Sequence, residues 1–427
     1  MSIIFYHVFL WLYKIGIRIV SPWNVKARAW LDGRKGIYDR IGAEMAADGG
    51  RGEGGVVWMH CSSLGEFEQG RPVIEELRRV RPGVRVVLTF FSPSGYNAKK
   101  GYKGADHIFY LPLDSPGNAR KFIDLVKPTL VLWVKYDYWY YFLVELKKRK
   151  IPVLLVSGVF RTDQPFFRWY GRLHRYMLES FTHLFVQTQA SRDLLKRLRL
   201  TENVSVSGDT RFDRVIEIAE EAEALPAVEA FCGAQPVIVA GSTWEEDEEE
   251  IDHYANTHPE IRFILAPHEI SEDRLAEVER LFRHCIRYSS WVSEGGVKAL
   301  RPGWPEPNVL LIDNIGMLSR LYRYASIAYV GGGFGDDGVH NVLEAAVYGK
   351  PVVYGPVIEK YIEAVELTEC GGGLVIDSAL EAEKVFDRLL GDPGELSDTG
   401  KASRDYVFSR KGATDRIVRF IMTQKML

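Results

Sequence analysis

The chain is short of cysteine and of long apolar runs, and each shortage excludes a class of protein. Its 427 residues include 4 cysteines, which are widely separated and form no Cys-x-x-Cys pair. A disulfide framework or a thiolate zinc site is therefore not expected, and a reducing cytoplasm fits. One apolar run approaches the length of a membrane span, which excludes a multi-span membrane protein. A hydrophobic content of 46% excludes a disordered chain.

Charge is unevenly distributed along the sequence, although the net charge is only −3. Residues 1–214 carry 34 Lys and Arg against 20 Asp and Glu, whereas residues 215–427 carry 20 against 37. This asymmetry indicates two lobes with different partners, the first suited to a phosphorylated lipid, a membrane surface or nucleic acid. The alternative is a solvated surface that is unevenly charged. Because the basic residues are dispersed and no recognition motif accompanies them, we expect no nucleic-acid partner.

The amino-terminal segment has the pattern of an amphipathic helix. At 100° per residue, His7, Lys14 and Arg18 share one face. The opposite face is apolar and consists of Ile4, Phe5, Val8, Phe9, Leu12, Ile15 and Ile19. We predict that residues 1–22 form a membrane-associated helix that lies in the plane of an anionic membrane surface. The alternatives are a single span with a cytoplasmic body, and an ordinary helix packed on its own domain.

Short apolar runs then alternate with helical patterns, which predicts parallel strands joined by crossover helices. The alternation begins after a Gly-rich break at residues 49–55 and restarts after an acidic stretch at residues 217–229. We therefore predict two doubly wound α/β domains, residues 23–214 and 215–427, with a cleft between them. Ligands in such sheets bind beyond the carboxyl ends of the strands.

The first motif with chemical potential is His60-Cys61-Ser62-Ser63-Leu64-Gly65-Glu66, between a predicted strand and a predicted helix over residues 68–80. Glu66 lies where the helix begins, beside backbone amides that have no partner within the helix. The carboxylate is a candidate for a catalytic role. Ser63 and Glu66 also have the Ser-x-x-Glu spacing of a capping box, so a purely structural role fits the spacing equally well.

Two further turns follow strands in the second half. Residues 331–335 are rich in glycine and lead to a helix that contains Asn341 and Glu344. Amides at such a turn can bind a phosphate, and Glu344 can accept hydrogen bonds from sugar hydroxyls. The second turn, Gly241-Ser242-Thr243, offers hydroxyls and amides to an anion. The alternative for both is an ordinary turn before a helix.

Six segments together resemble one enzyme family. They are WMHCSSLGE, SGDTRFD, GSTWEEDEE, APH, NIGMLSRLYRYASIAYVGGGF and HNVLEAAVYGKPVVYGP. In this order they resemble the 3-deoxy-D-manno-octulosonic acid (Kdo) transferases, which build the inner core of lipopolysaccharide. The resemblance implies a GT-B glycosyltransferase fold, CMP-Kdo as donor, a lipid A precursor as acceptor, and attachment to the cytoplasmic side of the cell inner membrane. No metal is required if backbone amides and cations hold the phosphate, and we expect no cofactor.

The resemblance also assigns roles to residues. Glu66 matches the catalytic base. A second family element carries two acids, of which Asp137 keeps one and Lys135 replaces the other. Arg211 holds the basic position of a third element. Departures occur at Trp244 and His268, where the family has histidine and arginine. The implied donor contacts are Ser242, Thr243, Pro267, His268, Ile315, Gly316, Met317, Gly332, Gly333, Asn341, Val342, Leu343 and Glu344.

The resulting hypothesis is a transferase in which Glu66 removes a proton from the glucosamine 6′-hydroxyl of the acceptor. That oxygen attacks C2 of Kdo as CMP departs, with inversion. Two alternatives remain at this point. One is another two-lobed sugar-nucleotide enzyme, such as a UDP-sugar transferase or epimerase. The other is a non-catalytic scaffold on the membrane.

Overall fold

The structure, a computed structural model, describes residues 3–47, 54–135, 137–293 and 306–427. Most of the predicted Gly-rich break, residues 49–53, and Tyr136 of the predicted acidic element lie outside these ranges. The chain divides into two compact units. The first comprises Met1–Asp213 and Gly412–Leu427, and the second comprises Arg214–Lys411.

The strands of the described residues are short and mostly buried along their whole length. They are β1 (Val56–Cys61), β2 (Arg85–Phe90), β3 (His107–Tyr110), β4 (Leu130–Val134), β5 (Val153–Gly158), β6 (His183–Val186), β7 (Val204–Val206), β8 (Val237–Thr243), β9 (Arg262–Pro267), β10 (Cys285–Arg287), β11 (Val309–Leu311), β12 (Ile327–Val330), β13 (Val352–Tyr354) and β14 (Gly373–Val375).

The α-helices connect these strands and extend the chain at both ends. They are α1 (Ile3–Val20), α2 (Val25–Asp32), α3 (Ile37–Ala47), α4 (Leu64–Val80), α5 (Pro93–Lys99), α6 (Pro116–Val126), α7 (Tyr140–Lys148), α8 (Arg172–Leu178), α9 (Gln189–Arg197), α10 (Thr210–Glu220), α11 (Pro226–Cys232), α12 (Glu245–Thr257), α13 (Glu272–Leu281), α14 (Tyr288–Ser293), α15 (Leu318–Leu321), α16 (Leu343–Ala346), α17 (Ile362–Glu369), α18 (Ala379–Gly391), α19 (Pro393–Phe408) and α20 (Ala413–Thr423).

Each unit contains one parallel sheet of seven strands. The order is β3-β2-β1-β4-β5-β6-β7 in the first unit and β10-β11-β9-β8-β12-β13-β14 in the second. In both sheets the strand order reverses beside the first strand, which is the arrangement of a doubly wound fold. The predicted fold class, two Rossmann-like halves of the GT-B type, is therefore confirmed. Apolar runs without alternation arise here because helices cover both faces of such a sheet.

The structure differs from the predicted elements at three places. The edge strand β10 was not predicted, since it is short and only half-buried. Helix α4 begins at Leu64 instead of residue 68, so Glu66 lies in its first turn. The second domain was predicted to extend to residue 427, but Gly412–Leu427 belongs to the first unit. The reason is apolar packing, because Ile417, Val418 and Ile421 of α20 complete the core beside α4.

Helix α1 packs against the first unit through Tyr6, His7 and Leu10. The Tyr6 hydroxyl donates to Asp114 over 2.6 Å, the His7 ring is hydrogen bonded to the Tyr141 hydroxyl, and Leu10 is buried. By length and composition α1 could cross a membrane, although only 11% of its residues are buried in the protein. The opposite side of α1 exposes the large apolar side chains Ile4, Phe5, Val8, Phe9, Trp11, Leu12 and Ile19.

Candidate active site

Strained turns mark the carboxyl edge of the first sheet. Lys135 directly follows β4 with a φ of +56°, and Ser157 near the end of β5 has a φ of +55°. This left-handed region is rare for residues other than glycine and costs energy, so it is retained where the surroundings require it. Because β1, β4 and β5 are consecutive parallel neighbours, their carboxyl ends lie at one edge, where the loop carrying Glu66 also begins.

Glu66 is held by the loop that precedes it. Its carboxylate accepts a hydrogen bond from the Ser62 N–H, and its own N–H donates to the Ser63 hydroxyl over 3.4 Å. The side chain is 8% exposed. The capping box that the spacing allowed is therefore present in a modified form. The Glu66 carboxylate accepts from the N–H of Ser62, the residue before the N-cap Ser63, instead of from the N–H of the cap itself. The cap does not exclude a catalytic role for the same carboxylate.

The neighbouring thiol has no nucleophilic character. Cys61 is fully buried, and burial raises the pKa of its thiol well above its usual value, with the carboxylates of Glu66 and Glu68 acting in the same direction. A thiol in this state remains protonated and unreactive. Of these two neighbouring side chains, Glu66 and not Cys61 is therefore the candidate for acid–base chemistry.

Arg211 belongs to a buried network that reaches α4. Gln69, one turn after Glu66, donates to both carboxylate oxygens of Asp209 over 3.3 and 3.2 Å. Asp209 in turn accepts from the Arg211 N–H and Nε, each over 2.9 Å. Burial acts to raise the pKa of Asp209, but the charges of Arg211 and Lys135 and the bonds from Arg211 outweigh it and lower the pKa. Asp209 therefore stays ionised and fixes the guanidinium of Arg211.

Asp137 lies in a different environment from the other two predicted catalytic residues. Its backbone carbonyl accepts from the Trp133 indole N–H over 2.5 Å. Burial raises the pKa of Tyr13 in α1, the charge of Arg34 opposes this, and the charge of Asp137 raises it further. The structure thus joins the elements that carry Glu66 and Arg211 through Gln69, and it brings Asp137 towards α1.

The second sheet has its own strained turn at the carboxyl edge. Ser242, near the end of β8, has a φ of +54°. The hydroxyl of the next residue, Thr243, donates to Glu248 over 2.8 Å, and Glu248 also pairs with Arg274. Thr243 and Glu248 are both almost fully buried. The Thr243 hydroxyl is therefore already used within the protein as a donor.

Asp247 organises the Gly-rich turn after β12. Its carboxylate accepts from the Gly332 N–H over 2.7 Å, from the Trp244 N–H over 2.9 Å and from the Tyr329 hydroxyl over 3.0 Å. Burial raises the pKa of Asp247, while these three bonds lower it. A Cβ on Gly331 would approach the Ser242 carbonyl to 2.5 Å, so this turn requires glycine for close backbone packing. The amide of Gly332 is committed to Asp247.

Three aromatic rings stack at the same edge. The Trp244 and His268 rings lie 4.5 Å apart, and the His268 and His340 rings lie 4.6 Å apart. The Trp244 indole N–H donates to His340 Nε2 over 3.0 Å. Burial and the nearby His268 both lower the pKa of His340, which favours the neutral ring that accepts this bond. His268 itself is exposed.

The remaining predicted donor residues differ in what they offer. Asn341 donates from its amide to Glu344 over 2.9 Å, which orients a half-buried carboxylate in the first turn of α16. Ile315 is 88% exposed, and Gly316 after it has a φ of +92°. The side chains of four other predicted residues are buried in the protein: Pro267, Met317, Val342 and Leu343. We expect these four to contact a ligand through the backbone.

Comparison with known proteins finds similarity to one enzyme family. A sequence profile described as 3-deoxy-D-manno-octulosonic-acid transferase matches residues 32–214. The Bordetella pertussis 3-deoxy-D-manno-octulosonic acid transferase is 27% identical over 432 residues, covering 96% of this chain and 94% of that protein. The Aquifex aeolicus protein of the same name is 26% identical over 348 residues, covering 80% and 88%.

This chain is similar to the Kdo transferases, by profile over residues 32–214 and by alignment over most of its length. Among solved structures, a UDP-N-acetylglucosamine 2-epimerase is similar with a TM-score of 0.58 and 17% identity, covering 87% of this chain and 97% of that one. At this identity the likeness extends to the fold alone. The similarity to the Kdo transferases supports a glycosyltransferase, and the sugar it transfers is considered below.

Two departures of this chain from the motifs of the Kdo transferases become neighbours in the structure. Trp244 and His268 replace the family's histidine and arginine, and their rings stack on each other. Sequence reasoning recognised each substitution separately but missed this contact, because the two residues follow different strands. It also missed Gln69, Asp209 and Asp247, although Asp209 lies two residues before Arg211.

Proposed function

We propose that this protein is a Kdo transferase that moves Kdo from CMP-Kdo to the glucosamine 6′-hydroxyl of a lipid A precursor, lipid IVA. The observation that carries the proposal is the buried carboxylate of Glu66 at the carboxyl end of β1, held by the Ser62 N–H. A fixed carboxylate at a strand end suits removal of a proton from a sugar hydroxyl.

In the proposed reaction Glu66 takes the proton of the acceptor hydroxyl. The oxygen attacks C2 of Kdo, the bond from C2 to the CMP phosphate breaks, and the anomeric centre is inverted. General-base assistance contributes about 10²- to 10⁴-fold to such a step. The hydrogen bond from Ser62 orients the carboxylate, so less reorganisation is needed when the proton moves.

Arg211 is our candidate for stabilising the phosphate that leaves with CMP. Its guanidinium is fixed by Asp209 through Nε and Nη2, the latter over 2.8 Å, and it remains 25% exposed. A cation fixed before reaction stabilises developing charge more effectively than a mobile one. Asp137, the third proposed residue, is half-buried and contributes negative charge towards α1.

The donor is proposed to bind at the carboxyl edge of the second sheet. Glu344 accepts hydrogen bonds from the ribose hydroxyls, with Asn341 holding the carboxylate in position. Ser242, Gly333 and the exposed residues Ile315 and His268 surround the nucleotide. These assignments follow the family's motifs, and the orientation of Glu344 supports the ribose contact.

The membrane is the proposed working surface of the enzyme. We place the protein on the cytoplasmic side of the inner membrane, with α1 lying in the interface. Two features of α1 support this position: Tyr6 and His7 contact the first unit, and Phe5 and Phe9 on the other side are 67% and 54% exposed. An apolar helix face of this kind inserts into the boundary between headgroups and acyl chains.

The decisive experiment is incubation of the full chain with lipid IVA and CMP-Kdo made in situ, followed by mass spectrometry of the lipid. We expect the mass of the lipid to rise by one or more Kdo units. A parallel thermal-shift titration compares CMP with UDP, because a ligand that binds the native state stabilises it. Stabilisation by UDP alone, together with unmodified lipid, would replace the proposal by a UDP-sugar enzyme.

A further inference from the structure

A pocket of about 650 Å³ opens where α1, α2 and α3 meet the chain beyond β3. Four exposed cationic side chains line it: Lys14, Arg18, Arg28 and Lys35. The pocket walls include one carboxylate, Asp32, which pairs with Lys35 over 2.7 Å. The pocket is therefore strongly electropositive, and three of its four exposed cations have no carboxylate partner within the described part of the chain.

A half-buried cation, Arg34, also lines this pocket. The Arg34 guanidinium donates to the carbonyls of Trp30 over 3.0 Å, Phe91 over 2.8 Å and Leu111 over 2.9 Å, and it lies 3.9 Å above the Trp30 ring. These partners carry no net charge, and no carboxylate among the described residues pairs with Arg34. Burial lowers the pKa of Arg34, as expected for a cation that has lost water without gaining a counter-charge.

The position of the pocket relates it to both the membrane and the candidate catalytic edge. Lys14 and Arg18 line the pocket from α1, the same helix that exposes an apolar face. On the other side, Arg34 holds the carbonyl of Phe91, whose own N–H donates to Cys61 in the strand that leads to Glu66. An anion bound here lies beside the membrane-facing helix and near the turn of the proposed base.

We propose that this pocket binds a phosphate group carried by the lipid acceptor. Charge complementarity supports an anion, since phosphate oxygens accept several charge-assisted hydrogen bonds from Lys and Arg. The apolar side of α1 supports a lipid as its carrier, and the proximity to the turn of Glu66 favours the acceptor over bulk phospholipid. The inference rests on the proposed function for the identity of the acceptor, but the binding site itself is testable without transfer.

The test uses two double variants of the full chain with the same change in net charge. Lys14→Gln with Lys35→Gln removes two cations of the pocket, and Lys26→Gln with Lys148→Gln removes two exposed cations that do not line it. Both pairs lie on the surface, so melting temperatures should stay close to that of the unchanged chain. Binding of the phosphorylated acceptor and of its dephosphorylated form is measured in neutral detergent micelles, without CMP-Kdo.

We expect the unchanged chain to prefer the phosphorylated lipid by about tenfold or more, as charge-assisted hydrogen bonds usually provide. The pocket variant should lose this preference, and the control variant should keep it. A preference that survives in the pocket variant, or is missing in the unchanged chain, refutes the proposal.

A second arm measures binding to phosphatidylcholine vesicles with and without phosphatidylglycerol. Equal losses in both variants are expected, because bulk attraction to an anionic surface depends on the number of cations near it. If the pocket variant alone loses vesicle binding and its acceptor preference is unchanged, the occupant is bulk phospholipid and the proposal is wrong. Binding of the phosphorylated acceptor without Kdo transfer would instead refute the proposed function and leave the pocket assignment intact.

Discussion

Replacing Glu66 by glutamine separates catalysis from capping. The amide oxygen of Gln can still accept from the Ser62 N–H, and the Ser63 cap of α4 is untouched. What is lost is the charge, and a hydrogen bond to a charged acceptor exceeds a neutral one by about 1 kcal/mol. Since about 1 kcal/mol shifts the midpoint by roughly 2–4 °C in a domain of this size, we expect a small fall in melting temperature.

The catalytic consequence should be much larger. Loss of a general base lowers turnover by about 10²- to 10⁴-fold, and a factor of 10² corresponds to roughly 2.7 kcal/mol in the barrier. This exceeds the expected stability change, so one sample of Glu66→Gln distinguishes the two roles. Turnover is followed by mass spectrometry of the lipid product, and the melting temperature by circular dichroism.

Ser63→Ala is the matched control for this experiment. It removes the cap hydroxyl, which usually costs about 0.5–2 kcal/mol, and the long 3.4 Å bond suggests the lower end. We expect a lowered melting temperature with turnover within a few-fold of the unchanged chain. Well-folded Glu66→Gln protein with near-normal turnover would refute the assignment of Glu66 as base and leave it as a helix cap.

Three further predictions follow from the structure. Glu344→Ala should weaken CMP binding by about 10- to 100-fold in calorimetry, since charge-assisted bonds to the ribose are lost; unchanged affinity would move the ribose site elsewhere. Phe5→Ser with Phe9→Ser should lower vesicle binding by at least tenfold without changing the melting temperature, because both side chains are exposed in the protein; unchanged binding would exclude α1 as the membrane contact. Burial lowers the pKa of His60 to about 3. Below pH 6.5 the unfolded state therefore binds a proton that the native state does not bind. The free energy of unfolding, measured in denaturant, should fall by a few kcal/mol as the pH decreases from 6.5 towards 3. If the difference in stability between the unchanged chain and a His60→Gln variant stays constant over this pH range, the neutral, buried ring is contradicted.

The local pattern of the sequence was sufficient for the fold class. Strands such as β4, Leu130–Val134, are buried on both faces, so they appear as unbroken apolar runs between helical segments. The strand-to-helix turn before Glu66 was also visible, because a cap and the first turn of its helix are neighbours in sequence, although the helix begins at Leu64 and not at residue 68. Strand β10 was missed because a half-buried edge strand of three residues leaves little hydrophobic pattern.

The tertiary structure alone decided which distant residues act together. Gln69 and Asp209 are 140 positions apart, and Trp244 and His340 are 96 apart, yet each pair is hydrogen bonded. Helix α20 lies in the first unit because its apolar side completes a core built some 300 positions earlier. Likewise, the sequence shows that Arg34 is basic, but only packing reveals a half-buried guanidinium whose acceptors are neutral carbonyls. Periodicity determines local elements, whereas non-local packing determines the environment of each side chain, and with it the chemistry available to that side chain.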